Sequence, residues 1–323
     1  MFGLLLAAVA CRWCSALLVV VTGATGELGR ALVQQARALS PPSSFSSSSP
    51  QELTLVLGCR DESRLSLSPP FPPGCFPLPL GDLSDLSSIP STSALIASFA
   101  ATSSRVVLIN AAGVCLSGLD SSILSQSVAV NSLYPVLLAT ALHHRLHSAA
   151  ALQVINVSSG DGQLCYLDSA LAASVSALDS IDAWERFCRE IQPPAPTALG
   201  GGGELAFSPG GTPAYSVSKA LLTKGSALLQ REWDKPEQTP PPPTTTRTKT
   251  RSSSSGGGGG ILRRQALCLC PGDFLSPMSS ASERVSPLLR TAAEAADDVW
   301  HMVFFADAYE GGGYYHLREP AEL

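Results

Sequence analysis

The sequence predicts a doubly wound α/β fold in which a mainly parallel sheet of seven strands is covered by helices on both faces. Short, almost continuously apolar runs alternate with segments whose apolar residues recur at helical spacing. Such alternation is typical of parallel sheets, whose strands are buried on both faces. The strand candidates are residues 17–21, 53–57, 76–80, 106–110, 152–157, 266–270 and 314–317. The helical patterns cover residues 28–38, 84–99, 121–146, 213–233 and 292–308.

Composition excludes several classes of protein. The chain has 323 residues, 45% of them hydrophobic, and a net charge of −5 without a long basic block. A sizeable core is therefore available, and nucleic acid is a poor partner. The nine cysteines are odd in number, and several stand in or beside apolar runs, which favours a reducing compartment and a cytoplasmic location. Cys11 and Cys14 lack a second Cys or His pair at a metal-ligand spacing, so we expect no metal site.

The N-terminal segment, residues 2–21, is almost continuously apolar and long enough to span a membrane. Its second part, however, runs directly into Thr22 and Gly23, and the same residues cannot both cross a bilayer and open a nucleotide fold. We therefore expect no membrane span. We expect a leader over residues 1–16 that leaves organelle targeting open, a single domain over residues 17–317 and a tail over residues 318–323.

Two long stretches interrupt the alternation. Residues 236–260 are rich in Pro, Thr, Ser and Gly, which predicts a disordered insertion. Residues 161–214 form an insert before Tyr215, with Asp179, Ser180 and Asp182 as candidate helix caps. Within the insert, apolar residues near helical spacing form a stripe of Leu178, Ile181, Trp184, Cys188 and Ile191.

A glycine-rich turn, Thr22-Gly-Ala-Thr-Gly-Glu-Leu-Gly29, lies between the first strand and the first helix. Glycines there let the backbone approach a pyrophosphate, and the helix N-terminus attracts its negative charge. A purely structural turn is the alternative. The context predicts a dinucleotide site that includes Thr22, Gly23, Gly26, Leu28 and Gly29.

The ends of the next three strands supply further candidate ligands. Arg60 follows the second strand, where an acidic residue would bind the 2′-hydroxyl of NAD and an arginine suits the 2′-phosphate of NADP. Arg60 therefore makes NADP(H) the predicted cofactor, and a solvated loop arginine beside Asp61 is the alternative. After the third strand, Asp82 and Leu83 could face the adenine. After the fourth strand, small or amide side chains let the backbone lie against a cofactor at Asn110, Ala111 and Gly113.

Tyr215 and Lys219 share one helix face because they stand four residues apart. A lysine beside a phenol lowers the tyrosine pKa towards neutrality, so that the tyrosine can exchange a proton near pH 7. The spacing alone is weak, since it occurs by chance on many helices. Asn131 stands among apolar residues in a helix, where its amide needs partners. A water-mediated link to Lys219 would supply one, and an ordinary core amide is the alternative.

In chain order, these residues resemble the short-chain dehydrogenase/reductase family, which implies a Rossmann-like fold. The resemblance runs from about residue 17 to residue 317. Its matching positions are Thr22, Gly23, Gly29, Asp82, Asn110 to Gly113, Asn131, Ser159, Tyr215, Lys219, Pro271 and Gly272. The insert before Tyr215 and the segment 313–317 look like the branch of monomeric carbonyl reductases.

The resemblance implies reversible, NADPH-dependent reduction of an aldehyde or ketone to an alcohol. Ser159, rather than Ser158, would hydrogen-bond the substrate carbonyl, and Tyr215 would donate the proton. Lys219 would lower the tyrosine pKa and bind the nicotinamide ribose, while Asn131 would hold a water in a proton relay. Further cofactor contacts are implied for Tyr215, Lys219, Pro271, Gly272 and Ser276.

Three positions depart from the family pattern. Glu27 stands where the compact branch usually has glycine, and the glycine spacing looks more like that of extended nucleotide-sugar epimerases and dehydratases. Asp273 replaces a bulky apolar residue, and Ser276 replaces a threonine. The alternatives to a carbonyl reductase are therefore an extended-type epimerase or dehydratase, or a non-catalytic dinucleotide-binding scaffold.

The insert also bears on assembly. In many relatives the helix with the Tyr-x-x-x-Lys motif packs against a partner subunit. If the apolar stripe of the insert docks there, it is buried and occupies that face. We therefore expect a monomer whose insert also walls the cleft for a small-molecule carbonyl or alcohol substrate.

Overall fold

The computed structural model describes residues 16–39, 53–61, 63, 74–146, 150–193, 212–235, 264–272 and 289–322. The expectations for the leader, the insertion 236–260, Asp273 and Ser276 fall outside these residues. Within them, a mostly parallel sheet is flanked by helices, and its strands, counted along the chain, lie in the order 3-2-1-4-5-6-7-8. The predicted α/β class is confirmed, because crossover helices cover both faces of the sheet.

All seven predicted strands are present, with small shifts at their ends. They are β1 Leu17–Thr22, β2 Leu53–Cys59, β3 Cys75–Pro79, β4 Arg105–Asn110, β5 Ala151–Val157, β6 Arg264–Cys270 and β7 Tyr314–His316. The predicted number of seven is wrong, because an eighth strand, β8 Glu319–Ala321, pairs antiparallel with β7. Its sequence is short, largely exposed and contains Pro320, so it carries no apolar signal that predicts a strand.

All predicted helical segments are present. The segment 121–146 is divided into two helices, and one further helix, Ser169–Ala177, lies in the insert. The helices are α1 Glu27–Leu39, α2 Ile89–Phe99, α3 Ser121–Val128, α4 Tyr134–Leu146, α5 Ser169–Ala177, α6 Ile181–Glu190, α7 Pro213–Trp233 and α8 Ala292–Phe304. A π-helical turn, Ala129–Leu133, joins α3 to α4. Because β1 alternates its side chains, Val19 packs beneath α1 and α8, whereas Val20 packs beneath α2 and α4.

The continuous helical run Ser121–Leu146 is long and apolar enough to cross a membrane by length and composition alone. However, 67% of its apolar window is buried inside the protein. Core helices of soluble proteins pass the same test, so packing in the core accounts for its composition.

The insert docks on α7, the helix that carries Tyr215 and Lys219. Ser180 caps α6, since its hydroxyl accepts a hydrogen bond from the Ala183 amide. Trp184 of α6 is fully buried, and its indole Nε1 donates to the Leu221 carbonyl at 2.8 Å. A Cβ atom at Gly225 would lie 2.7 Å from the Trp184 ring, so only glycine leaves room for it. All five residues of the predicted stripe belong to this contact: Leu178, Ile181, Trp184, Cys188 and Ile191.

Candidate active site

The turn between β1 and α1 has the backbone geometry that a dinucleotide requires. Gly23 has a φ of +72°, and a Cβ atom there would lie 2.7 Å from the Ala112 backbone. A Cβ atom at Gly29 would lie 2.2 Å from the Gly23 carbonyl oxygen, so α1 meets the turn only through glycine. Gly26 and Glu27 are exposed at the start of α1. This open helix N-terminus can therefore receive an anion.

The predicted adenosine-side ligands lie at the carboxyl edge of the sheet. Arg60 is exposed directly after β2, and Asp82 is exposed three residues after β3. The Asp82 carboxylate accepts hydrogen bonds from the Ser84 amide at 2.9 Å and the Ser84 hydroxyl at 2.8 Å. These bonds, with a smaller contribution from Arg60, lower the pKa of Asp82. Leu83 is half-buried against the core formed by α2 and α4.

The segment after β4 lies between the glycine turn and the candidate catalytic residues. The Ala112 amide donates to the Thr22 hydroxyl at 3.3 Å, which joins this segment to β1. Asn110 is buried, and its amide nitrogen donates to Asn156 at 2.8 Å. A Cβ atom at Gly113 would lie 3.2 Å from Asn131 Oδ1 and 3.8 Å from Lys219 Nζ. The small residues of this segment therefore bring the predicted cofactor site close to the predicted catalytic residues Asn131 and Lys219 at the carboxyl edge of the sheet.

Ser159 and Tyr215 meet at the carboxyl end of β5. Ser159 Oγ accepts a hydrogen bond from the Asp161 amide at 3.2 Å, and a hydrogen bond with Ser159 lowers the pKa of Tyr215. Burial is the larger effect and raises the pKa of that tyrosine. The expectation of a lowered tyrosine pKa is therefore wrong for this structure, because desolvation disfavours the phenolate. Its phenol is protonated at neutral pH and can act as an acid.

Lys219 is buried below the tyrosine. Its Nζ lies 5.5 Å from the centre of the Tyr215 ring and donates to the Val157 carbonyl at 2.7 Å. Burial lowers the pKa of Lys219 to about 8, while nearby cysteines, beginning with Cys268, act in the opposite direction. The lysine is thus held beside the tyrosine, but its positive charge is costly there.

Asn131 lies within the π-helical turn, a local widening that is frequent at functional sites. Its Oδ1 accepts from the Val114 amide at 2.8 Å, and its Nδ2 donates to the Val114 carbonyl at 2.8 Å. Nδ2 also donates to the Ser218 hydroxyl at 2.9 Å. The side chain is therefore satisfied by protein groups, and it fastens the segment after β4 to α7. The water relay stays a prediction.

Ser158 and Ser159 have different surroundings. Ser158 is buried, and its hydroxyl lies 2.9 Å from the Thr223 hydroxyl and 3.4 Å from the Lys219 carbonyl, within α7. Ser159 is half-buried beside Tyr215. Of these two serines, therefore, only Ser159 has a hydroxyl group that forms a hydrogen bond with Tyr215.

Two residues that support the candidate site were not predicted from the sequence. The Tyr314 hydroxyl on β7 donates to the Ser159 carbonyl at 3.0 Å, which ties the last parallel strand to the serine. A Cβ atom at Gly162 would lie 2.8 Å from Lys219 backbone and side-chain atoms, so glycine allows this loop to cross α7. The alternation of β7 indicated a strand but not a partner for Tyr314, and Gly162 lacked any recognisable motif.

Pro271 and Gly272 follow β6 and complete the carboxyl edge. Pro271 is buried, and Gly272 has a φ of +73°. The preceding residue, Cys270, is close enough to affect the pKa values of both Tyr215 and Lys219. Because β5 lies between β4 and β6 in the sheet, the turn after β6 and the segment after β4 flank the end of β5.

Comparisons with known proteins agree with this architecture. No protein-family model matches the chain, and no curated protein matches it. Among solved structures, carbonyl reductase Sniffer of D. melanogaster is similar with a TM-score of 0.57 and 16% identity over 95% of this chain and 99% of that one. Salutaridine reductase from Papaver somniferum has a TM-score of 0.59 and 16% identity over 92% and 99%. An NADPH-bound carbonyl reductase from chicken fatty liver has a TM-score of 0.56 and 18% identity over 95% and 94%.

At these identities the likeness shows the fold. The chain has the fold of short-chain dehydrogenases and carbonyl reductases, which confirms the resemblance at that level. The residues at the carboxyl edge also fit a dinucleotide. Gly23 and Gly29 leave room where a Cβ atom would collide with backbone, and the start of α1 is exposed. The exposed carboxylate of Glu27 is the misfit, since it stands where phosphates approach.

Proposed function

We propose that the protein is an oxidoreductase of the short-chain dehydrogenase/reductase family that reduces an aldehyde or ketone to an alcohol with NADPH, reversibly. The observation that supports this most directly is the meeting of Ser159, Tyr215 and Lys219 at the carboxyl edge of the sheet, beside an open glycine turn. Ligands of doubly wound sheets bind at this edge.

The hydroxyl groups of Ser159 and Tyr215 act on the substrate carbonyl oxygen in different ways. Ser159 Oγ donates a hydrogen bond to the carbonyl, which polarises it and fixes its orientation. Tyr215 then transfers its phenolic proton to the same oxygen as negative charge develops there. Because burial raises the pKa of Tyr215, its proton is present at neutral pH, and the cost of the resulting phenolate must be offset. The nearby Lys219 ammonium provides that compensation when it is charged.

The nicotinamide supplies the hydride when NADPH is bound. In this proposal the turn from Thr22 to Gly29 binds and orients the cofactor, and Arg60 binds the 2′-phosphate. The exposed Arg60 favours NADPH over NADH, since charge-assisted bonds to phosphate contribute about 1.5–3 kcal/mol. The NADPH in the chicken-liver carbonyl reductase is in accord with this choice.

The first experiment is a turnover assay with NADPH and NADH against a panel of aldehydes and ketones. We expect oxidation of NADPH that depends on the carbonyl compound. A protein that binds NADPH yet turns over no carbonyl would favour a non-catalytic scaffold. Nucleotide sugars in the same panel test the epimerase or dehydratase alternative, which the spacing of Gly23, Gly26 and Gly29 favours.

We also propose that the protein is a monomer. The support is the docking of α6 on α7, because Trp184 fills the notch at Gly225 and covers the helix face that relatives use for assembly. Light scattering at micromolar concentration tests this, and a stable dimer contradicts it.

A further inference from the structure

A buried ion cluster lies beside the Pro271-Gly272 turn. Asp298 of α8 is 3% exposed and accepts from two arginines, with Arg290 Nη1 at 2.5 Å from Oδ2 and Arg318 Nε at 2.5 Å from Oδ1. A buried carboxylate needs such partners, and each arginine is fixed in turn by the carboxylate. Nothing in the proton-transfer chemistry uses this cluster.

Arg290 extends the cluster to the turn itself. Its Nη1 also donates to the Pro271 carbonyl, and its Nη2 donates to the Glu294 carbonyl at 2.9 Å. A Cβ atom at Gly272 would lie 3.4 Å from Arg290 Cδ. The guanidinium of Arg290 therefore binds the Pro271 carbonyl, and its aliphatic stem lies beside Gly272, which anchors the turn to the start of α8.

The opposite side of the turn is held by the two-residue connection between β7 and β8. Leu317 and Arg318 both have positive φ, at 50° and 76°, although neither is glycine. The Leu317 amide donates to the Cys270 carbonyl at 3.1 Å, and Leu317 Cδ2 would lie 2.9 Å from a Cβ atom at Gly272. These two residues form the turn of the β7–β8 hairpin, since His316 pairs with Glu319, and a two-residue hairpin turn of this kind requires positive φ at both positions. Arg318 leads from this hairpin turn back to Asp298.

These contacts close a ring around the turn: Pro271 to Arg290, Arg290 to Asp298, Asp298 to Arg318, and Leu317 back to Cys270, the residue directly before the turn. We propose that this ring, hereafter the arginine clamp, positions the Pro271-Gly272 turn for the nicotinamide cofactor, with Arg290 as its main positioning residue. The inference rests on the proposed function, because it assigns the turn to the cofactor. Arg290 acts through the turn and not on the reacting atoms.

The test compares NADPH dissociation constants and melting temperatures of three glutamine variants. Arg290→Gln removes the bonds to Pro271, Asp298 and the Glu294 carbonyl. We expect the NADPH dissociation constant to rise about tenfold, as for a lost charge-assisted hydrogen bond. Arg318→Gln removes only a bond to Asp298, and we expect a rise of about twofold to threefold. Arg189→Gln removes an exposed ion pair to Glu185 on α6 and serves as the matched control, with an unchanged constant.

Binding is measured well below the melting temperature, and hydrogen exchange of the peptide with Gly272 is followed in the same proteins. Faster exchange and weaker binding in Arg290→Gln support the clamp. A lower melting temperature with wild-type affinity means a purely structural brace and overturns the proposal. If Arg290→Gln does not fold, Arg318→Gln decides, and a wild-type dissociation constant there overturns it. A wild-type protein that binds neither NADPH nor NADH overturns the proposed function as well, whereas a binding wild type with an unaffected Arg290→Gln overturns the clamp alone.

Discussion

The candidate cofactor ligands and the candidate catalytic residues lie along the same edge of the sheet, but in opposite surroundings. Arg60, Glu27 and Asp82 are exposed on the side of β1, β2 and β3. Lys219 and Asn131 are 5% and 1% exposed on the side of β5 and α7, with their polar atoms bound to protein groups. The difference teaches that the first side presents exposed charged groups, whereas on the second side protein groups fix the polar side chains in place. Substitutions on the buried side should therefore change chemistry or stability, and those on the open side should change affinity alone.

The largest effect is expected for Tyr215→Phe, on the buried side. The variant loses the proton donor and keeps the ring, so turnover with a reactive carbonyl should fall about 10²- to 10⁴-fold, the range of general acid catalysis. NADPH affinity should stay within about twofold of wild type. Steady-state kinetics and fluorescence titration measure the two quantities. Near-native reduction by Tyr215→Phe would place the proton donor elsewhere.

Trp184→Ala tests whether the insert is part of the buried side. The indole is fully buried in the notch at Gly225, so its removal should lower the free energy of unfolding by about 3–5 kcal/mol. It should also expose the apolar face of α7 and cause association in light scattering. The matched control is Arg186→Ala, an exposed position on the same helix, which should change stability by no more than about 0.5 kcal/mol. Equal stabilities of the two variants would contradict the docking.

The buried side chain of Lys219 makes the free energy of unfolding depend on pH. Its pKa of about 8 in the folded protein lies below its ordinary value of 10.5, so between these values the unfolded chain binds more protons. Lys219 should therefore contribute stability that increases with pH across this window, by about 3 kcal/mol if the window is traversed fully. The buried tyrosines Tyr215 and Tyr314, whose pKa values are raised, contribute in the opposite direction in both proteins. The stability of the wild type minus that of Lys219→Met should therefore rise with pH. Urea unfolding of both proteins from pH 7 to pH 10.5 measures the difference, and parallel pH curves would show that burial does not perturb the lysine.

Arg60→Ala probes the open side. The NADPH dissociation constant should rise at least about tenfold because the 2′-phosphate loses a charge-assisted bond, while NADH binding and the melting temperature should not change. Fluorescence titration with both cofactors measures this. Equal losses for NADPH and NADH would mean that Arg60 supports the backbone rather than the phosphate.

Glu27→Gln should produce the smallest change in NADPH affinity, and it should strengthen binding rather than weaken it. The carboxylate stands at the N-terminus of α1, where it competes with phosphate, and Arg30 at 4.0 Å compensates for it only partly. Its neutralisation should tighten NADPH binding about twofold to fivefold, the equivalent of 0.3–1 kcal/mol near a helix terminus. The gain should shrink at high salt. Weaker binding would mean that Glu27 holds the turn rather than repelling the cofactor.

Periodicity predicted the strands and most helices because these segments bury continuous or evenly spaced apolar side chains. Periodicity did not predict the β8 strand or the α5 helix. Glu319, Pro320 and Ala321 have a strand conformation only because β7 lies beside them, and α5 buries Val175 alone. The edge at which Ser159, Tyr215 and Lys219 meet also followed from sequence, since parallel strands end on one side.

The electrostatics of the candidate site could not be read from sequence. Spacing brings Lys219 to the face of Tyr215, but it does not reveal that the ammonium donates to Val157 or that burial raises the tyrosine pKa. The ring through Arg290, Asp298 and Arg318 likewise joins segments without a shared pattern. Such effects depend on long-range packing and on desolvation, which local sequence does not encode.

The strand order has a consequence for how the molecule is made. The hydrogen bond between Thr22 and Asn110 joins residues 88 positions apart, whereas the bond between Gln153 and Gln265 spans 112 positions. Closing longer loops costs more entropy, and a chain synthesised from its N-terminus presents β1, β2, β3 and β4 first. The glycine turn can thus reach its final geometry on a growing chain, while α7 must wait for β6 before both of its faces are covered. During synthesis, the surroundings of the glycine turn would therefore be complete before the surroundings of Tyr215 and Lys219.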